Sequence, residues 1–121
     1  MTVQNLDAAC AKLGATLGTH DAENRITKAL GVIEEQGVYA LFLYLHAREN
    51  RWGIDQLTTF LRENPSQQNA LLGANNDLFP ALQQLAGDLD KLLFARDLLQ
   101  RALVYARYHA KAAQAGGART P

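Results

Sequence analysis

The sequence predicts an all-α fold, a compact bundle of five to six helices around a central apolar helix. Three observations predict it. Apolar residues recur at spacings of three and four and do not alternate with period two, which is the periodicity of helices. With 121 residues, of which 48% are apolar, the chain suffices for one hydrophobic core and is too short for two ordinary domains. The run 38–45 is apolar on every side, and a helix of that kind belongs inside a bundle, wrapped by the others.

Val3, Leu6, Cys10, Leu13 and Leu17 fall on one stripe of a first helix that Thr2 caps and Gly18 ends. Cys10 therefore reads as a small core residue. Asp21 stands as N-cap of a second helix, whose buried face is Ile26, Leu30 and Ile33 and which stops near Gly37. By periodicity alone, Val-Tyr-Ala-Leu-Phe-Leu-Tyr-Leu at 38–45 fits a buried strand as well as a helix. Context favours the helix. The run continues into His46-Ala47-Arg48-Glu49, a helix-forming end with a cation in the last turn, and no other segment offers a partner strand. Burying Leu41, Phe42 and Leu45 contributes about 2 kcal/mol apiece.

Asn50-Arg51-Trp52-Gly53 makes a turn, after which Ile54, Leu57, Phe60 and Leu61 mark a short amphipathic helix ending before Pro65. Asn64-Pro65-Ser66-Gln67 reads as a new start, with a capping Asn, Pro at the first helical position and Gln three residues on, leading a brief helix to Gly73. A second turn spans Ala74 to Asp77, with Asp77 or Asn76 as cap and Pro80 inside the next first turn. The longest element runs from about Leu78 to Ala113, bent or broken at Gly87. Its buried face is Leu92, Leu99, Leu103, Ala106 and Ala110, widened by Phe94, Leu98 and Tyr105. Residues 1–113 thus form one helical domain, and 114–121, rich in Gly and Ala, form a flexible C-terminal tail.

A single cysteine, Cys10, excludes an internal disulfide and any thiolate zinc site supplied by this chain alone, which fits a reducing cytoplasm. The N-terminus lacks the basic and apolar segments of a secretory signal, and no apolar run approaches the roughly 20 residues of a membrane span. Catalytic patterns are missing too. His20, His46 and His109 share no ligand spacing, and no Glu has a His three residues later, as a di-metal bundle wants. Gly14 and Gly18 belong to the first helix and make no phosphate loop, and neighbouring Glu34 and Glu35 point about 100° apart, as on a solvated face. The expectation is a non-catalytic protein with neither metal nor cofactor.

Binding features remain. Residues 1–90 carry 6 Lys+Arg and 11 Asp+Glu, a charge of −5, while residues 91–121 carry 6 Lys+Arg and one Asp, a charge of +5. A chain so divided can stack head to tail on its own copies or offer its basic end to an anionic polymer. Opposite the buried face of the last helix lie Arg96, Gln100, Arg107 and Lys111, with Arg101 and Tyr108 at the margin. Arg96, Arg101, Arg107, Tyr108 and Lys111 suit single-stranded nucleic acid, since guanidinium groups follow phosphates and a tyrosine stacks on a base. The plainer account is that cations near a helix C-terminus complement its dipole. Arg48, Arg51 and Trp52 form a second candidate contact, against which stands the use of Trp52 as a lid over the core.

The segment Ile33-Glu34-Glu35-Gln36-Gly37-Val38-Tyr39-Ala40-Leu41-Phe42-Leu43-Tyr44 resembles the most recognisable stretch of the small helical subunit of type III CRISPR RNA-guided effector complexes. There an Ile leads through polar residues to Gly and then to a helix rich in Leu, Phe and Tyr. Leu103-Val104-Tyr105-Ala106-Arg107-Tyr108-His109-Ala110-Lys111-Ala112 is similar to that family's closing helix. Where the family often has Arg after the Ile, this chain has Glu34 and Glu35. The resemblance implies a non-catalytic subunit stacked in several copies beside other effector subunits, holding single-stranded target RNA, with Arg107, Tyr108 and Lys111 as the matching contact residues. The alternative is a free-standing helical adaptor or homodimeric interaction module that recognises another protein through Trp52 and exposed aromatics.

Overall fold

The computed structural model describes residues 5–66, 69–73 and 77–119, with side chains through Gln114. Six helices occur among these residues: α1 (Leu6–Leu17), α2 (Glu23–Gln36), α3 (Val38–Arg48), α4 (Ile54–Glu63), α5 (Leu78–Ala86) and α6 (Leu89–Arg119). No described residue is in a strand, so the apolar run 38–45 is helical. Leu41, Phe42 and Leu45 are fully buried, and α3 packs on α2, α4, α5 and α6. The predicted central helix is therefore present, with one side open, because Leu43 remains 46% exposed. The long α6 shares the central role, holding α1 and α2 along its length and α5 at its start.

The α1–α6 seam is close because both helices present small residues. A Cβ on Gly14 would stand 2.6 Å from Tyr105 Cβ and 2.9 Å from the Ala106 nitrogen, and one on Gly18 would meet the Ala106 carbonyl and His109 Cβ. Ala102, Ala106 and Ala110 are buried along this part of α6. Cys10, Leu13 and Leu17 enter the core from α1, as the stripe predicted.

Local boundaries differ from expectation in four places, each for a visible reason. Asn5 caps α1, its Oδ1 accepting the Ala8 N–H at 3.0 Å, while Thr2 and Val3 lie outside the described residues. Asp21 does not cap α2, which begins at Glu23 behind Ala22; its carboxylate accepts the Thr19 hydroxyl at 2.7 Å, which holds the carboxyl below its ordinary range.

The described residues between Asn64 and Gly73 form no helix. The Asn64 amide, expected to cap forward, donates back to the Phe60 carbonyl at 2.8 Å. Leu71 and Leu72 N–H groups donate to the carbonyls of Asn64 and Leu61, folding both buried leucines beneath the end of α4. Gln67, the other half of the expected capping box, is outside the described residues.

The break at Gly87 is present, and Asp88 restarts the chain, its Oδ1 accepting the Lys91 N–H at 3.2 Å at the head of α6. Pro80 sits in the first turn of α5, where its missing N–H costs nothing. Finally, α6 is helical to Arg119, beyond the expected end at Ala113. The Gln114 amide donates to the His20 carbonyl at 2.8 Å, in the turn that precedes α2.

Candidate nucleic-acid interface

One face of α6 is buried against α1 and α2, so its opposite face is the surface on which the predicted cations were placed. Their surroundings are unequal. Arg96 turns toward α2, where Nη2 donates to the Glu34 carbonyl at 2.5 Å, and the Gln100 amide reaches Glu34 Oε2 at 3.1 Å. Arg96, half-buried at the α2–α6 seam, thus meets a carbonyl and, among the described residues, no carboxylate. Arg101 lies between Asp97, at 3.2 Å, and Asp7 of α1, at 3.8 Å. Asp7 also accepts the Tyr105 hydroxyl at 2.7 Å, and that hydrogen bond holds the phenol above its ordinary range. Lys111 pairs with Glu23 of α2 at 3.1 Å.

The fold therefore brings the acidic and basic parts of the sequence together within one chain. Asp7 meets Arg101, Glu23 meets Lys111, and the Glu34 backbone meets Arg96. Of the six cations in residues 91–121, Arg101 and Lys111 thus meet carboxylates of the acidic part within the chain.

Arg107 and Tyr108 differ from the rest. Among the described residues neither Arg96 nor Arg107 has a carboxylate within ion-pair distance, and the Nε of each is buried without a hydrogen-bond partner, but Arg107, half-buried, also lacks the carbonyl contact that Arg96 makes. Tyr108 is 62% exposed. Arg101 and Lys111 flank them, and their ion pairs are at half-exposed side chains, where such pairs contribute only about 0–1 kcal/mol and exchange readily for another anion. Four side chains spread over about 15 Å of helix thus offer one free guanidinium, one open ring and two cations held weakly.

The three residues of the second predicted cluster have different surroundings. Trp52 is half-buried against the core, which is the lid role. Arg48 is exposed at the end of α3. Arg51 is joined to His46, Nη1 lying 3.1 Å from Nδ1, and stands 4.0 Å from Asp55. The backbone there is unusual: Asn50 and Arg51 have φ of 54° and 63°. Sequence reasoning grouped Arg51 with Arg48 and Trp52 and missed His46, although His46 stands in the last turn of α3 and Arg51 in the turn that follows it.

Cys10 is fully buried, its Sγ–H donating to the Leu98 carbonyl at 3.4 Å, and burial pushes the thiol up to about 11. Such a thiol is not a nucleophile at neutral pH. Among the described residues, no three His, Cys, Asp or Glu side chains are grouped to hold a metal ion, and no helix is long and apolar enough to cross a membrane. Comparison with protein-family models, curated proteins and solved structures finds no match for this chain.

Proposed function

We propose that this chain is a non-catalytic small subunit of a type III CRISPR RNA-guided effector complex, acting in the cytoplasm beside other effector subunits and copies of itself. Its contact with single-stranded RNA runs along α6 through Arg107 and Tyr108, with Arg101 and Lys111 on either side. The observation that carries this reading is on α6: Arg107 has no carboxylate partner among the described residues, and Tyr108, one position on and about 100° round the helix, has an exposed ring. That combination suits a phosphate and its attached base. The resemblance of residues 33–44 and 103–112 to the family's small subunit supplies the setting. Mixed with the other subunits and a guide RNA, the chain is expected to co-migrate with them in gel filtration; consistent elution on its own would end the proposal.

A second reading, a helical adaptor or homodimer without nucleic-acid binding, is favoured by the exposed Leu43, Leu89 and Leu93, of which Leu89 is 66% exposed. Apolar docking is insensitive to salt, whereas phosphate contacts weaken steeply as salt rises. A partner held equally at low and high salt supports this second reading.

A further inference from the structure

Arg51 is the residue that neither reading explains. It follows Asn50 in the left-handed region, with φ of 54° and 63°, a conformation that favours glycine. Side chains are held there when the surroundings demand them, and such positions cluster at ligand clamps. The Arg51 guanidinium donates from Nη1 to His46 Nδ1 at 3.1 Å. An arginine has only donors, so Nδ1 must accept and the imidazole proton sits on Nε2. Both side chains line a cavity of about 420 Å3 whose other walls are Asp77 and the first turn of α5, Leu78, Phe79 and Pro80. The Phe79 ring is packed edge to face with His46 and with Tyr39, each at a centroid separation of 5.8 Å.

We propose that this cavity is a binding site for a mononucleotide-sized phosphate ester. Arg51 holds the phosphate, His46 donates to it through Nε2, and Phe79 meets the organic part. A guanidinium already hydrogen-bonded and backed by an imidazole is pre-set for an anion. The hollow is open to solvent on one side and has more room than a bare phosphate needs. The first turn of α5 adds N–H groups that its helix leaves without acceptors, of the kind that receive phosphate oxygens. Two carboxylates bear on the balance: Asp55, at the 4.0 Å limit from Arg51, and Asp77 on the rim. Displacing Asp55 costs little, because its side chain is 94% exposed. Asp77 places a second carboxylate on the rim.

The site is separate from the α6 face and does not rest on the proposed role in RNA binding. The test uses the full chain and its three histidine ring signals, watched by NMR during titration with inorganic phosphate, adenosine monophosphate or adenosine. The nucleotide is expected to move the His46 ring to saturation, inorganic phosphate to do so more weakly, and adenosine to leave it unmoved.

Arg51→Gly suits the backbone, so it is expected to keep or raise the melting temperature while weakening nucleotide binding by about tenfold or more, the value of one charged hydrogen bond. Asp77→Asn, which removes the charge and keeps the shape of the side chain, is expected to tighten it. The proposal is overturned if the His46 ring is still at about 10 mM nucleotide, where even a millimolar site fills. It is equally overturned if all three rings move together, or if Arg51→Gly binds as the parent does.

Discussion

Replacing Gly14 by alanine isolates the contact on which the α1–α6 seam depends. In an exposed helix the change stabilises, because glycine is about 1 kcal/mol worse than alanine. Here the added methyl would stand 2.6 Å from Tyr105 Cβ, 2.9 Å from the Ala106 nitrogen and 3.0 Å from the Ala102 carbonyl oxygen. Two of those three atoms are backbone, so no rotamer change relieves the clash and α6 has to move. Overpacking of that sort costs about 1–3 kcal/mol. Against the propensity gain, the net expected loss is about 1–2 kcal/mol, a fall of several degrees in Tm for a domain of this size. Gly31 in α2 is the internal control, since its Cβ would meet nothing within 4 Å and Gly31→Ala should gain up to about 1 kcal/mol. Urea denaturation of the two variants beside the parent checks both signs. Equal stabilisation by the two substitutions would refute the close packing of α1 on α6.

Two further outcomes follow from the same coordinates. Above about pH 9 an unfolded chain releases the Cys10 proton while the folded chain retains it to about 11, so this stability term is whole below pH 9 and is lost by about pH 11, roughly 2–3 kcal/mol in all. Cys10→Ala should flatten the fall of stability between those pH values in thermal melts, leaving the slope due to Tyr44 and Tyr105, whose phenols are also raised. Asp88→Ala removes the side chain that accepts the Lys91 N–H at the start of α6 and should lower stability by about 1 kcal/mol in the same urea assay, with Asp88→Asn restoring most of it.

What the sequence disclosed was what depends on near neighbours along the chain. Leu41, Phe42 and Leu45, and likewise Leu99, Leu103, Ala106 and Ala110, could be assigned to the core because a 3.6-residue period is a local property. The break at Gly87 was readable for the same reason. At Asn64 to Gly73 the local signals favoured a helix, and burial of Leu71 and Leu72 under α4 overrode them.

The basic face was readable as a face but not as a set of free charges. Which cations are occupied depends on α1 and α2 lying along α6, which puts Asp7, Glu23 and the Glu34 carbonyl beside residues far along the chain. Gly14 and Gly18 carried a usable hint, since two glycines four residues apart on an apolar helix mark a place where another backbone comes close. The joining of His46 to Arg51 had no such signal, because it depends on positive φ values at residues that are not glycine.

The pairing also selects the informative variants for the functional claim. Reversing Arg101 or Lys111 breaks contacts with Asp7, Asp97 or Glu23 as well as any RNA contact, whereas Arg107→Glu and Tyr108→Ala disturb no ion pair or hydrogen bond among the described residues. The most direct measurement is fluorescence anisotropy of a labelled single-stranded RNA titrated with the parent and with the Arg107→Glu, Tyr108→Ala double variant at two salt concentrations. With three cations on phosphates, log affinity should fall against log salt with a slope of about −2, and the double variant should bind at least about tenfold more weakly with its helicity unchanged. RNA binding that is absent at low salt, or that ignores both substitutions, would contradict the account.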